Sequence, residues 1–309
     1  MAEDDIRARI KIVTMNGRQM PYGEATVPIM SPGLNYAAAV FEGMRAYWNA
    51  SARQLYIFRL DEHLKRLAFS MRMLRFDPMP AVAELGDQIV ADIRANLYQE
   101  DTYIRLSAFV DEWGEVTTQG PVSTTIVCRP RPRAPGCATG QNFCVSSWRR
   151  LPDNASPPRS KSTANYLNSR LAGLEAKTNN YHGAIMLTER GTVAEGPGGC
   201  IFIVRDGRLV TPGVTSGILE SVTRDTLLTV ALEDGIERAE RDIDRTELYI
   251  ADEVFYCGTG QEIVPIVSVD RMTVGAGTPG PLTRALQKRY DDLVRGHVNA
   301  HGEWRRPVY

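Results

Sequence analysis

Several features that mark particular protein classes are missing from this chain of 309 residues. Its 36 lysines and arginines are balanced by 37 aspartates and glutamates, so there is no excess of positive charge for binding nucleic acid or an anionic membrane. No apolar stretch is long enough to span a bilayer. The opening segment, Met1–Asp5, is acidic and polar, whereas a secretory signal opens with a basic and then an apolar segment, so we expect no such signal.

Cysteine and histidine are also scarce. The five cysteines are Cys128, Cys137, Cys144, Cys200 and Cys257. Their number is odd and no pair has metal-ligand spacing, so we expect reduced thiols in a cytoplasmic protein. His297 and His301 are four residues apart and could share a helix face. Because no third ligand is near them in the sequence, we interpret both as solvated side chains and predict no metal site.

The composition is that of a globular protein, with 43% hydrophobic and 24% charged residues. The length is sufficient for two domains with their own cores. In the first half, strands are predicted at residues 9–13, 54–60, 103–110 and 123–128, and helices after Asp61 and at 82–97. In the second half, strands are predicted at 142–148, 183–189, 201–204, 208–210, 253–257 and 263–269, and helices at 162–177, 221–234 and from Pro281. This mixture favours an α+β fold over a regular βαβ array.

A segment rich in proline and arginine, Arg129–Gly136, cannot continue a helix or a central strand. We therefore predict a small α+β domain over residues 1–129, an interdomain loop over 130–140 and a larger α+β domain over 141–309. The alternative is that this segment is only a surface loop within one domain.

Lysine is the rarest of the common charged residues, and one lysine stands apart. Four of the five fit exposed strand or helix positions: Lys11, Lys65, Lys177 and Lys288. Lys161 follows a loop rich in proline and serine and precedes a predicted helix, where the helix dipole disfavours the charged ammonium form. Only a neutral amine attacks an aldehyde, so this position suits a Schiff-base lysine. A surface lysine in a polar loop is the alternative, and position alone does not decide between them.

Six blocks of sequence resemble the class IV aminotransferases, in the family's order and spacing. They are Ser146–Trp148, Lys161, Asn165–Leu167, Ala194–Gly198, Ser221–Arg224 and Cys257–Thr259. Two more, Tyr36–Arg45 and Tyr103–Arg105, are similar to the branched-chain amino acid members. The resemblance extends from about Asn16 to Leu293. It implies the two-domain α+β fold of the fold type IV pyridoxal-phosphate enzymes, with the active site at the domain and dimer interface.

A site for pyridoxal 5'-phosphate needs an anion beside the pyridine nitrogen, a hydrogen bond to the phenolic oxygen and a phosphate cradle. The resemblance implies that Lys161 binds the cofactor covalently and shuttles the substrate proton. It assigns Glu195 to the pyridine nitrogen, Tyr166 to the phenolic oxygen and Leu219 to packing against the ring. The phosphate would bind Arg59, the backbone N–H groups of Val222 and Thr223, and the hydroxyl of Thr259.

Each cofactor residue also has a structural interpretation. Glu195 could be a solvated turn residue, and Tyr166 a core tyrosine on a helix with Leu167, Leu171 and Leu174. Arg59 could form an ordinary salt bridge, which is the better interpretation of that residue in isolation. Thr223 could be an ordinary residue in the first turn of a helix. Together these interpretations require several coincidences, so we reject them as a set.

The resemblance also implies substrate contacts. Tyr103 and the N–H groups of Thr259 and Gly260 would hold the α-carboxylate, supported by Arg45 and Arg105. Phe41 and Tyr36 would line the side-chain pocket, with Tyr36 supplied by the neighbouring subunit of at least a homodimer. The implied activity is a ping-pong transfer of the amino group of L-leucine, isoleucine or valine to 2-oxoglutarate.

Two departures from the family pattern keep the substrate open. The loop after Val110 contains Asp111–Glu115 where the family usually has glycines, and Cys200 replaces a common asparagine. The alternatives are a transaminase for (R)-amines or D-amino acids, a lyase resembling aminodeoxychorismate lyase, and a cofactor-binding protein without turnover.

Overall fold

A seven-stranded antiparallel sheet forms the first of two units in the computed structural model, which describes residues 8–309. Its strands are β1 Ile12–Met15, β2 Arg18–Pro21, β3 Ala39–Asn49, β4 Gln54–Phe58, β5 Thr102–Val110, β6 Val122–Pro130 and β16 Arg305–Pro307. They are arranged in the order β16-β4-β3-β5-β6-β1-β2. The segment that we assessed for a secretory signal lies outside the described residues.

The helices of the first unit are the short α1 Pro32–Asn35, the longer α2 Leu60–Met73 and α3 Leu85–Ala95, and the 3-10 turns Tyr22–Glu24, Val82–Glu84 and Gly302–Trp304. The two longer helices, α2 and α3, pack on one face of the sheet. Successive side chains of a strand point to opposite faces. In β3, Val40, Met44 and Ala46 enter the apolar core with Leu67 and Ile89 from the two longer helices. Phe41, Gly43 and Arg45 alternate with these residues and therefore face the other side of the sheet.

The second unit contains a mixed nine-stranded sheet. Its strands are β7 Gln141–Val145, β8 Gly183–Ile185, β9 Glu195–Gly196, β10 Gly199–Arg205, β11 Arg208–Thr211, β12 Arg238–Glu240, β13 Glu253–Gly258, β14 Glu262–Val269 and β15 Met272–Thr273. The main order is β12-β11-β10-β13-β14-β7-β8, with β9 paired to β10 and β15 to β14. The remaining helices are α4 Gly136–Thr139, α5 Asn165–Thr178, α6 Val222–Glu233, α7 Glu247–Ile250 and α8 Pro281–Val294.

The two units are not the continuous halves that we expected. The first contains residues 1–132, 160–164 and 292–309, and the second contains 133–159 and 165–291. Residues 160–164 join the first unit because they run antiparallel to the start of β3, with a bridge between Val40 and Ser162. The C-terminal segment joins it because β16 pairs with β4. Such pairings between distant residues leave no local periodicity in the sequence.

Local residue preferences explain several turns and helix ends. The turn between β1 and β2 has Asn16 and Gly17 at φ 50° and 76°, as a two-residue hairpin requires. Ser221 caps α6 by accepting the N–H of Arg224, and the helix ends before Gly235 at φ 71°. These features depend on neighbouring residues only, which is why the sequence predicts them.

Other local predictions need correction. Arg59 occupies the cap position of α2, so Asp61 lies in the first turn of the helix. An acidic side chain there still interacts favourably with the helix dipole. Pro130 belongs to β6, because β1 pairs with β6 only as far as Ile126 and, among residues 8–309, no other strand pairs with the end of β6 on that side. The helix after Lys161 begins only at Asn165, so the helix dipole, which acts within the first turn, does not distinguish that lysine.

The two histidines near the C-terminus do not share a helix face, since α8 ends at Val294 and His301 has φ 51°. In the part of the chain that the structure describes, no group of histidine, cysteine, aspartate or glutamate side chains could hold a metal ion. A search of the same residues for a helix long and apolar enough to cross a membrane found none.

Asp92 makes the stability of the first unit depend on pH. Its buried carboxylate accepts a hydrogen bond from the Thr14 hydroxyl at 3.1 Å. Burial raises the pKa of Asp92 from 3.8 to about 6, although hydrogen bonds from Cys128 and Thr14 oppose the change. Between these two pKa values the folded state retains a proton that the unfolded state has lost. Stability should therefore fall by about 3 kcal/mol as the pH rises from 4 to above 6.

We expect Asp92→Asn, which stays neutral, to be more stable than the unaltered protein at pH 8. The advantage should shrink at pH 5, where the aspartate is largely protonated. Thermal unfolding at both pH values measures it. Asp87→Asn is the control, because Asp87 is an exposed acid on the same helix. An equal change at both pH values would contradict the assignment.

Candidate functional site

One face of the first sheet carries aromatic and cationic side chains. The register of β3 and β5 places Gly43 opposite Arg105 and Arg45 opposite Tyr103, so these residues share the face with Phe41. The guanidinium of Arg105 lies 3.3 Å from the centre of the Phe41 ring. Gly43 is required because a methyl group there would overlap the Tyr103 hydroxyl. The sheet thus brings together five residues of the two sequence blocks that are similar to the branched-chain members.

Arg45 and Tyr103 have surroundings that differ from the expected network. Arg45 is buried, donates to the carbonyl oxygen of Arg131 at 2.6 Å and lies 3.8 Å from a carboxylate oxygen of Asp101. The guanidinium of Arg129 lies 5.2 Å from the centre of the Tyr103 ring. Because Arg129 is opposite Tyr103 in the register of β5 and β6, it adds a cation to the same face.

Lys161 faces the same side of the sheet. Its carbonyl oxygen accepts the N–H of Phe41 at 3.0 Å, and its Nζ lies 4.9 Å from the centre of that ring. Its own N–H donates to Ser70 Oγ at 3.1 Å, which fixes the backbone. Lys161 is half-buried, whereas the other four lysines are exposed. Exposure therefore distinguishes Lys161 from the other lysines, which its position in the chain alone did not do.

A buried ionic group lies on the opposite face of β3, beneath Phe41. Glu42 accepts hydrogen bonds from Arg66, and its other contact is His63 Nδ1 at 2.7 Å. Burial alone would raise the pKa of Glu42, but Arg66 and His63 more than offset it and hold the pKa at about 2. Burial also lowers the pKa of His63. The ionised carboxylate therefore ties β3 to α2 beside the lysine segment.

Arg59 lies at the end of β4 in a left-handed conformation, with φ 52°. Its side chain is 8% exposed and binds Glu62 through Nε and Nη2, both at 2.8 Å. The guanidinium carbon lies 4.6 Å from the centre of the Trp304 ring. The salt bridge that we considered for Arg59 from the sequence is therefore present. The same guanidinium also stacks on Trp304 and is nearly buried.

In the second unit, Glu195 is a buried and paired acid. It is 5% exposed, one carboxylate oxygen lies 2.8 Å from Arg150 Nη2, and the other accepts the Leu219 N–H at 3.2 Å. It is therefore not a solvated turn residue. Tyr166, in the first turn of α5, is half-buried, whereas Leu167 on the same helix is exposed. The interpretation of Tyr166 as part of an apolar helix face is therefore wrong.

The start of α6 combines helical N–H groups with two threonine hydroxyls. Val222 and Thr223 are buried in the first turn, where helical N–H groups have no intrahelical acceptor. The Thr223 hydroxyl lies 3.4 Å from that of Thr259, which with Gly260 follows β13. Two hydroxyls and a helix N-terminus together suit a phosphate group.

Glycines allow close backbone approach beside Glu195. A methyl group at Gly196 would come 2.6 Å from the Tyr256 ring, and one at Gly258 would come 3.0 Å from the Gly198 carbonyl oxygen. Cys200 is buried opposite Cys257 in the pairing of β10 with β13, and its Sγ lies 3.9 Å from the carbonyl oxygen of Leu219. This departure from the family pattern thus contacts a residue that also binds Glu195.

The last predicted site residue, Tyr36, and the unusual loop at Asp111–Glu115 belong to the first unit. Tyr36 is 47% exposed. In the unusual loop, Asp111 is buried and accepts the Ser123 hydroxyl, whereas Trp113 is 72% exposed. Asp111 therefore supports the structure of the loop, whereas the Trp113 side chain is accessible for contacts.

Three residues around the candidate site were missed from the sequence. Ser70 binds the Lys161 backbone, Arg150 pairs with Glu195, and Trp304 stacks on Arg59. None has a pattern that could have identified it, since each depends on a partner at least 45 positions away.

Comparisons with known proteins show the family to which the chain belongs. Residues 39–269 match the family model described as amino-transferase class IV. The chain is 38% identical over 297 residues to a probable branched-chain-amino-acid aminotransferase of Aquifex aeolicus, covering 95% of each protein. The crystal structure of the branched-chain amino acid aminotransferase from Thermobaculum terrenum in its PLP form superposes with a TM-score of 0.92 at 42% identity, covering 97% and 99% of the two chains. That of the branched-chain aminotransferase from Thermoproteus uzoniensis with norvaline has a TM-score of 0.93 at 39% identity, covering 97% and 100%.

Proposed function

The chain belongs to the class IV aminotransferase family, and from this premise we propose that it is a branched-chain-amino-acid aminotransferase dependent on pyridoxal 5'-phosphate. It would transfer the amino group of L-leucine, L-isoleucine or L-valine to 2-oxoglutarate. The observation that carries this proposal is the near-complete match, in sequence and fold, to enzymes that bear this name.

The donor sets in the two units fit this cofactor. In the second unit, buried Glu195 suits a protonated pyridine nitrogen, and Leu219 beside it suits packing against a ring. The start of α6 and the hydroxyls of Thr223 and Thr259 suit a phosphate. We assign the phenolic oxygen to Tyr166. These assignments rest on two features of the second unit, the buried carboxylate of Glu195 and a helix start that suits an anion.

The first unit supplies the amine and a cation. We assign Lys161 to the aldehyde carbon, because it is the half-buried lysine on the face that also carries the aromatic and cationic residues. We assign Arg59 to the phosphate alongside the helix start. An arginine offers two parallel N–H groups to phosphate oxygens, which a lysine cannot do.

When bound, pyridoxal phosphate supplies an electron sink for the electrons released at the substrate α-carbon. Lys161 Nζ would act as a base and take the proton from that carbon. It would then act as an acid and return the proton on the cofactor side. Glu195 would keep the ring nitrogen protonated by remaining ionised beside it. The reaction runs in two halves, and the first 2-oxo acid leaves before the second enters.

We propose that the substrate lies against the aromatic and cationic face of the first sheet. Tyr103 and the N–H groups of Thr259 and Gly260 would hold the α-carboxylate. Phe41 and a Tyr36 from a neighbouring subunit would contact an apolar side chain. Arg45 and Arg105 support that face, and Arg105 and Arg129 provide the positive charge that the second carboxylate of 2-oxoglutarate needs.

The first half of the reaction tests the proposal. Adding L-leucine alone to the holoenzyme should shift the cofactor absorbance to that of pyridoxamine phosphate and release one equivalent of 4-methyl-2-oxopentanoate per subunit. Adding 2-oxoglutarate should then reverse the shift and produce glutamate. D-Alanine and (R)-1-phenylethylamine serve as controls that should leave the spectrum unchanged. A shift with either control and none with L-leucine would contradict the proposed substrate.

We further propose a cytoplasmic homodimer. All five cysteines are among the described residues and none forms a disulfide, which supports a reducing compartment. Four large apolar side chains are 63–78% exposed on two segments of the first unit: Ile29, Leu34, Trp113 and Val116. The segments are neighbours, because a methyl group at Gly114 would come 2.7 Å from Pro32 Cγ. Exposed apolar side chains grouped in this way are typical of subunit contacts.

Light scattering should give about twice the chain mass of 34.3 kDa, or a higher even multiple. The double variant Leu34→Glu with Trp113→Glu should be monomeric, because it places charges in the contact. Leu97→Glu is the matched control, since Leu97 is 78% exposed elsewhere in the same unit. A monomeric wild-type protein would contradict the proposed assembly.

A further inference from the structure

Trp304 and Arg59 are joined by the pairing of the C-terminal strand. The register of β16 with β4 places Arg305 opposite Phe58, so Trp304 lies beside Arg59. The Arg59 N–H donates to the Trp304 carbonyl oxygen at 2.6 Å. Arg59 has φ 52°, a left-handed conformation that is unfavourable for a residue with a side chain. The C-terminal segment therefore holds the backbone of this arginine.

The side chains of the two residues are also stacked, within a larger group. The guanidinium carbon lies 4.6 Å from the centre of the Trp304 ring, and tryptophan is the strongest aromatic partner of a cation. The ring of His301 stacks on Trp304 at 3.7 Å with an angle of 10° between the planes. Phe58 contacts Trp304 edge-on, with the ring centres 6.0 Å apart. The indole is thus held from several sides while it contacts the guanidinium.

Glu62 completes the restraint. Arg59 Nε and Nη2 both lie 2.8 Å from the same carboxylate oxygen, so one edge of the guanidinium is fixed while Trp304 fixes its plane. Two-pronged binding of a phosphate requires a guanidinium with a defined plane. An arginine that is ordered beforehand loses less side-chain entropy when the phosphate binds.

We propose that Trp304 is a positioning residue for the cofactor phosphate, acting through Arg59. The inference rests on the proposed function, which assigns Arg59 to that phosphate. It makes a specific demand: loss of the indole should weaken ligands that carry the phosphate and spare those that lack it. A residue that merely stabilised the fold would affect both equally.

The test compares pyridoxal phosphate with pyridoxal, which has the same ring and aldehyde but no phosphate. Both dissociation constants are measured by absorbance on apoenzyme. We expect Trp304→Leu to raise the constant for pyridoxal phosphate about tenfold, which corresponds to ~1.4 kcal/mol, and to change that for pyridoxal less than about twofold. Trp304→Phe, which keeps an aromatic ring, should recover most of the affinity.

Trp48→Leu is the matched control. Trp48 is a half-buried tryptophan of the same unit that packs edge-on against Tyr309 in the same C-terminal segment. Its loss should leave the affinity for pyridoxal phosphate within about twofold of the wild type. If Trp304→Leu does not fold, His301→Leu removes the outer stacking partner and should produce a smaller loss, again confined to pyridoxal phosphate.

A double-mutant cycle tests the route through Arg59. In an Arg59→Ala background, Trp304→Leu should add less than about a twofold change, because the residue that it positions is gone. Equal losses for pyridoxal and pyridoxal phosphate, or additive losses in the cycle, would overturn the inference. So would unchanged cofactor affinity in Trp304→Leu. A wild-type protein that bound no pyridoxal phosphate would instead overturn the proposed function itself.

Discussion

Replacing Lys161 with alanine should reduce the turnover of L-leucine with 2-oxoglutarate by roughly 10⁴-fold. The reason is that the variant loses both the amine that would bind the cofactor and the base that would move the substrate proton. The fold should survive, because the backbone contacts of residue 161 with Phe41 and Ser70 involve only main-chain atoms of the lysine. Steady-state kinetics and thermal unfolding measure the two effects separately.

The position of the covalent link can be checked independently of turnover. Borohydride treatment of the holoenzyme followed by peptide mass spectrometry should find the reduced cofactor on Lys161. Lys65→Ala is the control, since Lys65 is exposed on α2 in the same unit and should leave both the label and the turnover unchanged. A label on another lysine, or normal turnover in the alanine variant, would remove the basis of the proposed chemistry.

The second large effect is expected for Glu195→Gln, with a fall in kcat of roughly 10²–10³-fold. A neutral amide cannot hold a proton on the pyridine nitrogen, so the electron sink would weaken while the contacts of the phosphate remained. The substitution should therefore change kcat far more than it changes the cofactor dissociation constant. Rapid-mixing spectroscopy of the first half-reaction measures the chemical step directly.

The same substitution should also lower stability. Arg150 is 6% exposed and would lose its ionised partner, although the amide oxygen of glutamine could still accept one of its hydrogen bonds. We expect a loss of about 1–3 kcal/mol, measurable by denaturant unfolding. Glu189→Gln, at an exposed turn of the same unit, is the control and should change neither quantity. A Glu195→Gln enzyme with kcat within threefold of the wild type would show that this acid has another role.

We therefore expect stability and catalysis to be coupled at Glu195 through Arg150. The guanidinium also donates to the Gly217 carbonyl oxygen at 3.1 Å, two residues before Leu219, whose N–H binds the same acid. Arg150 therefore fixes both the carboxylate and the segment beside it. A buried pair of this kind is weak evidence for added stability but restricts the orientation of the acid.

The sequence by itself predicted the chemistry of the candidate site and most of the local elements that carry it. The motifs around Lys161 and Glu195 contain residue types that the cofactor requires, and the Ser221 cap and the Asn16–Gly17 turn depend only on neighbouring residues. Such signals lie within a few positions of one another, so they can be recognised without knowledge of the fold.

Only the tertiary structure decided which residues support the site. The addition of residues 160–164 to β3, the return of the C-terminal segment to β4, and the partners Arg150 and Trp304 all join positions that are far apart in the chain. Strand pairing, stacking and buried ion pairs depend on distance in space, and they leave no periodic pattern in the residues between. For that reason the sequence could predict the reacting groups but not the residues that we expect to position them.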